Sequence, residues 1–154
     1  MLNITLICVG KIKENYLVDG IKEYLKRIEG FQKIEVVEVK EYNLSDISKN
    51  IDNEGENILE KINKDEYVIT LEISGKKLDS IELSKLIHDL PTYGNSKITF
   101  VIGGSNGISE KVKKRSNYQL SFSDMTFPHQ LMRLILLEQI YRALTIINHK
   151  EYHK

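Results

Sequence analysis

The sequence predicts an α/β protein in which a parallel sheet is covered by helices on both faces. Three observations lead there. Apolar, β-branched runs alternate with segments of helical periodicity along the whole chain, and that alternation favours crossover connections between parallel strands. The run Ile98–Ile102 is apolar apart from Thr99, which suits a strand buried on both faces. The chain has 154 residues, enough for one sizeable core, so residues 1–154 are read as a single domain.

The elements follow in order. Ile4–Val9 is a short apolar strand closed by Gly10. Asn15–Ile28 places Tyr16, Leu17, Ile21, Tyr24, Leu25 and Ile28 on one helical face, with Gly30 as its stop. Lys33–Lys40 is β-branched and partly alternating, a second strand. Ser45–Asn63 is polar with Ile47, Ile51, Ile58, Leu59 and Ile62, and reads as a surface helix with a break in its first half. Tyr67–Ile73 is a third strand, ended by Ser74-Gly75-Lys76-Lys77. Ser80 is placed to cap a helix running to Leu90, with Glu82 in its first turn and Pro91 beyond its end. Ile98–Ile102 is the fourth strand, Ser109–Arg115 a short helix and Tyr118–Phe122 a fifth strand. Pro128 fits the first turn of the last helix.

That last helix is unusually apolar. From Leu131 to Ile147 its hydrophobic residues cover well over half the circumference, too wide for a helix resting on one sheet face. A second buried side is required, and self-association as a two-fold dimer is the simplest way to supply it.

Composition sets the boundaries. Hydrophobic content of 41% and charged content of 29% are ordinary for a globular protein. No apolar run approaches the roughly 20 residues that span a bilayer. The start reads as a first strand rather than a signal peptide, because no basic segment precedes its apolar run. The single cysteine, Cys8, excludes an internal disulfide and suits a reducing, cytoplasmic setting, where it packs as a small buried hydrophobe. Formal net charge is zero, yet it is unevenly distributed. Residues 1–91 hold 13 Lys and Arg against 18 Asp and Glu, whereas residues 92–154 hold 9 against 4. An anionic partner near the last third and a merely uneven surface are both compatible with that split.

The last third also concentrates the candidate chemistry. Gly103-Gly104-Ser105-Asn106-Gly107 directly follows the fourth strand, where open parallel sheets bind ligands. It is a ligand floor or a structural tight turn, and it lacks the phosphate-loop pattern. Ser121–Phe127 offers hydroxyls and a carboxylate between apolar residues, either for a nucleoside or as a capped turn. His149 and His153 are four apart, but no cysteine or carboxylate pair completes a metal site, so no metal is expected. Glu138 and Arg142 form an i,i+4 pair, solvated or partly buried and functional.

Together these residues carry a resemblance. Ile4 to Lys11, Thr70 to Lys76, Phe100 to Gly107, Arg115 to Tyr118, Met125 to Arg133, Glu138 to Ala143 and the terminal Tyr152-His153-Lys154 resemble the ribosomal RNA large subunit methyltransferase H family, within the SPOUT (α/β-knot) methyltransferases. The resemblance spans essentially the whole chain. It implies a parallel-sheet α/β/α fold with a C-terminal trefoil knot, a homodimer, S-adenosyl-L-methionine as methyl donor, and methylation of N3 of a pseudouridine in 23S rRNA on the assembled ribosome. It implies cofactor contacts at Leu71, Gly103, Phe122, Ser123, Asp124, Met125, Thr126 and Phe127. It also departs mildly from the family, since Lys154 stands where many relatives have arginine and loses bidentate geometry.

The target imide nitrogen must lose a proton, so His153, or Glu138 acting with Arg142, is expected to assist that loss. Arg142, Tyr152, His153 and Lys154 are expected to hold the RNA, with Tyr152 stacking on a splayed base. Competing readings are a non-catalytic dimeric nucleotide- or RNA-binding module and a dinucleotide-dependent oxidoreductase. Tyr42–Gly55 carries no assigned function.

Overall fold

The structure is a computed structural model and describes residues 2–154. Five strands, β1 (Asn3–Val9), β2 (Ile34–Val39), β3 (Tyr67–Lys77), β4 (Lys97–Ile102) and β5 (Tyr118–Ser121), pair in the order β2-β1-β4-β3-β5. Every pairing is parallel. The helices are α1 (Asn15–Glu29), α2 (Ile47–Glu60), α3 (Ser80–Asp89), α4 (Glu110–Arg115) and α5 (His129–Ile147).

Strand alternation sorts the core into two layers. Ile4, Leu6 and Cys8 of β1, with Ile98, Phe100 and Ile102 of β4, face α1, α3 and α5. Ile7, Val9, Val68 and Val101 face Ile58 of α2 and Val112 of α4. Both faces of β1 and β4 are therefore dry, as the unbroken apolar run of β4 predicts. The buried Thr99 satisfies its hydroxyl by donating to Glu66.

Several local expectations change. The segment Ser74-Gly75-Lys76-Lys77 does not end the third strand. β3 continues through it after an irregularity between Leu71 and Lys76, and Lys76 and Lys77 pair with Leu120 and Ser121. Gly75 permits this because a Cβ there would lie 2.7 Å from the carbonyl of Gln119. Helix α2 is unbroken, and Asp46 caps it by accepting from Lys49 N–H. Asp79, not Ser80, caps α3, in a reciprocal capping box with Glu82. Ser80 instead donates to Gln139 on α5 at 2.7 Å. Pro91 continues the chain into a 3-10 turn over Leu90–Tyr93 rather than lying beyond the helical segment. Gly30 ends α1 as expected, and does so in a right-handed conformation, φ −64°. Pro128 sits at the N-cap of α5, just outside its first turn.

From β5, at one edge of the sheet, the chain returns through residues 122–128 to α5. That helix lies between α1 and α3 and packs on both. Much of its apolar width is thus covered within the chain, by Leu136, Leu137, Ile140, Ala143 and Leu144. What stays outside both core layers is a half-exposed stripe of Leu131, Ile135 and Ile146. No helix among the described residues is long and apolar enough to cross a membrane.

Candidate functional site

A cleft of about 960 Å³ opens at the carboxyl ends of β3, β4 and β5. Its size falls at the upper end of the range typical of small-molecule sites. Three connections build it. The first is the irregular part of β3, Leu71 to Ser74. The second is the glycine loop, Gly103 to Ile108. The third is Phe122 to Pro128, with His129 and Met132 of α5 behind it. All the positions to which the resemblance assigned cofactor contacts, Leu71, Gly103, Phe122, Ser123, Asp124, Met125, Thr126 and Phe127, line this one cleft.

The glycine loop turns tightly enough to leave its backbone open to a ligand. Gly107 donates to the Gly104 carbonyl at 3.1 Å and holds φ +98°, in the left-handed region. A Cβ on Gly103 would lie 2.8 Å from the Gly107 carbonyl oxygen, so no larger residue fits without moving the loop. Beneath it Glu54, only 3% exposed, accepts from Tyr42 N–H at 3.0 Å. Its Oε1 has no partner, and burial pushes its carboxyl above the usual range. Helix α2 and the Tyr42 segment thus serve as the glycine loop's foundation.

The third connection is braced by its own hydroxyls. Ser121 donates to the Ser123 carbonyl at 3.1 Å, and Ser123 Oγ accepts from Met125 N–H at 3.0 Å. Asp124 pairs with Lys77 of β3. Met125, 73% exposed, lies at the rim of the cleft. The capped-turn reading and the ligand reading are therefore compatible: polar groups shape the loop while apolar ones line the cleft.

The first turns of α5 are anchored by charge. Arg133, 3% exposed, donates to Glu38 at 2.6 Å and to the Gly10 carbonyl at 3.1 Å. His129 stands 3.8 Å from Glu41. Desolvation is the main cause holding its pKa below the ordinary histidine value, opposed by Glu41 and aided by Arg133.

The remaining sequence-predicted residues lie elsewhere in the chain. Arg142 Nε donates to both oxygens of Glu138, at 3.0 and 3.2 Å, and its Nη1 lies 3.1 Å from His153 Nδ1. Their placement depends on the end of α5. His149 takes a left-handed conformation, φ 56°, and Lys150 N–H donates to the Thr145 carbonyl at 2.8 Å. The chain turns back, and Tyr152 packs edge-on against Tyr141 at 4.7 Å with Arg142 over its ring at 4.8 Å. Burial, and a hydrogen bond with Tyr24, push the Tyr152 hydroxyl up to about 12. Tyr152 is therefore an anchor for the tail rather than a free stacking platform. Lys154 is exposed at the end.

At 1.5 Å per residue, Arg142 sits about 20 Å along α5 from His129, so this cluster and the cleft do not meet within one chain. Among the described residues, no group of three His, Cys, Asp or Glu side chains gathers as a metal site. Sequence reasoning overlooked Glu72, Ser74, Lys113 and Met132, which also line the cleft. Ser74 was hidden because the run after Ile73 reads as a turn, whereas it is a distorted strand. Glu72, Lys113 and Met132 lie within elements the sequence did predict, and only the packing of those elements turns them to the cleft.

The fold and cleft define an α/β protein with a cleft of small-molecule size at the carboxyl edge of its sheet. A family model described as "Predicted SPOUT methyltransferase" matches residues 2–153. The chain belongs to the SPOUT methyltransferase family. A Methanococcus vannielii protein, provisionally named ribosomal RNA large subunit methyltransferase H, is 54% identical over 159 aligned residues, covering 99% of this chain and all of the relative. The Bacillus pumilus ribosomal RNA large subunit methyltransferase H is 52% identical over the same shares. The crystal structure of tRNA (m1G37) methyltransferase from Aquifex aeolicus matches with a TM-score of 0.53 at 16% identity. That match covers 92% of this chain and 69% of the other, and shows the shared fold.

Proposed function

We propose that the protein is a cytoplasmic, S-adenosylmethionine-dependent methyltransferase acting on N3 of a pseudouridine in large-subunit rRNA within the assembled ribosome. The observation that carries this reading is the convergence of Leu71, the glycine loop and Phe122–Phe127 on one cleft. The two full-length relatives named for large-subunit rRNA support the substrate class.

The residues present fit the cofactor. The cleft has apolar lining in Ile102, Leu120, Phe122 and Met132, backbone groups exposed where Gly103 excludes a side chain, and a carboxylate in its wall at Glu72. Bound there, S-adenosylmethionine supplies an electrophilic methyl group. The chain's own task is to hold the acceptor nitrogen in place, and positioning can supply much of the rate.

We assign the acceptor-side role to Glu138, Arg142 and His153. A guanidinium only donates, so His153 Nδ1 accepts from Arg142 and the neutral ring keeps its proton on Nε2. Glu138 has both oxygens on Arg142. In this arrangement Arg142 and His153 donate hydrogen bonds, while Glu138 accepts from Arg142 and holds it in place. Their donors stabilise the imide as its anion, which lowers the cost of passing its N3 proton to solvent water before or during methyl transfer.

The trio reaches the cleft through a homodimer. Leu131, Ile135 and Ile146 recur at helical spacing along the outer face of α5, with Glu138 and Arg142. An antiparallel two-fold pairing centred on that stripe sets Arg142 of the partner subunit opposite Ile135, about one turn from the cleft residue Met132. The return of α5 from edge strand β5 to a place between α1 and α3 supports the trefoil knot of the family.

The test is transfer of a labelled methyl group to ribosomes lacking the modification. Wild-type protein is expected to label one pseudouridine, and Gly103→Ala to fail. Mixing Gly103→Ala with Arg142→Ala subunits should restore roughly a quarter of wild-type activity if sites are shared between protomers. Cofactor binding with no transfer to any ribosomal substrate would favour the non-catalytic module.

A further inference from the structure

The irregular stretch of β3 brings a carboxylate into the cleft that no other residue fully uses. Glu72 follows Leu71, the last residue in regular register with β5 before the shift to Lys76. Its side chain is only 7% exposed, and it lines the cleft with Lys113. The fully buried Thr70 hydroxyl donates to Oε2 at 2.6 Å and fixes the carboxylate's rotation. Oε1 has only Lys113 Nζ nearby, at 3.8 Å, beyond hydrogen-bond reach. Among the described residues Oε1 therefore has an ionic neighbour but no hydrogen-bond donor, and Glu72 lines the cleft.

A nearly buried carboxylate with one oxygen held and the other open costs desolvation, and a ligand donor offsets that cost. Lys113 decides which donor. A ligand ammonium would enter beside an existing cation and meet like-charge repulsion. Neutral hydroxyls add no charge and suit a carboxylate already partly balanced by lysine.

We propose that Glu72 reads the ribose diol of the bound nucleoside, with Thr70 as its positioning residue and Lys113 excluding a cationic group from the same spot. This rests on the S-adenosylmethionine reading above and deepens it. Glu72 then sets the selection of a ribonucleoside over a deoxynucleoside, while the loop Phe122–Phe127 is left to the base.

The test is calorimetric titration with S-adenosylhomocysteine, its 2′,3′-dideoxy counterpart and 5′-methylthioadenosine, on wild-type protein and Glu72→Gln. A hydrogen bond to a charged group predicts a loss of about 10- to 100-fold when wild type meets the dideoxy ligand. Glu72→Gln should lose a similar factor with the natural ligand and be nearly indifferent to removal of the diol. Methylthioadenosine keeps the diol and lacks the amino acid, so its binding should be as sensitive to Glu72→Gln as that of S-adenosylhomocysteine. Equal sensitivity of both proteins to diol removal overturns the proposal, and so does a threefold or smaller loss in wild type. Loss of the Glu72→Gln effect with methylthioadenosine overturns it in favour of ammonium recognition. Failure of wild type to bind S-adenosylhomocysteine refutes the cofactor reading itself, and this inference with it.

Discussion

The ion pair that fixes α5 behind the cleft predicts an asymmetric response to losing either partner. Arg133 is the buried member, its side chain 4% exposed, while the Glu38 side chain is 38% exposed and open to water. Glu38→Ala leaves a guanidinium in the core with only the Gly10 carbonyl as acceptor. Breaking a buried pair this way costs about 3–5 kcal/mol, and partial access of water to the vacated space sets the expectation near about 3 kcal/mol. Arg133→Met is milder. Glu38 returns to water, one hydrogen bond to Gly10 is lost, and the unpaired Arg133 Nε disappears, so the net cost is about 1 kcal/mol. The double variant should also lie near about 1 kcal/mol, because the orphaned charge is gone. Urea unfolding at pH 7.5, at one fixed protein concentration, measures all three. The reasoning is refuted if Glu38→Ala is no worse than Arg133→Met, or if the two changes add within about 0.5 kcal/mol.

Other consequences are simpler to measure. Cys8 is 1% exposed and burial pushes its thiol up to about 12, so a thiol reagent at pH 8 should label it only in denaturant. His129 has a depressed folded pKa, so below about pH 6.5 the unfolded chain binds more protons and stability falls with pH; His129→Gln should flatten that decline in thermal melts taken between pH 7.5 and 5. Glu54 has a raised folded pKa, which works in the opposite sense. Its contribution is present at low pH and is lost as pH rises above about 4.5, so Glu54→Gln should raise the melting temperature at pH 8 more than at pH 5. Gly75→Ala would set a Cβ 2.7 Å from the Gln119 carbonyl; overpacking of this kind costs about 1–3 kcal/mol, and fast amide exchange along β5 would mark the separated edge.

How much was legible in the sequence depends on how local the cause was. Strands β1, β2 and β4 and helices α1, α4 and α5 emerged within a residue or two at their ends, because period and burial pattern act over short distances. The end of β3 did not. Ser74-Gly75-Lys76-Lys77 has turn chemistry, yet Gly75 is needed for close approach to Gln119, a contact 44 positions away that no local pattern records. The caps were misplaced by one residue at Asp79 and Pro128, since neighbouring residue types satisfy the same rules. Glu72 lies in the predicted part of that strand, and its place in the cleft depends on the neighbouring elements rather than on local pattern.

By itself, then, the sequence determined the alternating α/β order, the fully buried central strand and two loops able to hold a ligand, Gly103–Gly107 and Ser121–Phe127. Periodicity and composition encode those through neighbours in the chain. The third segment, at Leu71, came only from the family resemblance. Only the tertiary structure decided that the three segments share one cleft and that β5 lies outside β3. It also decided that Glu138, Arg142 and His153 gather at the far end of α5 from that cleft. These depend on strand order and on the direction of a 19-residue helix, which packing of the whole chain sets and local preference does not.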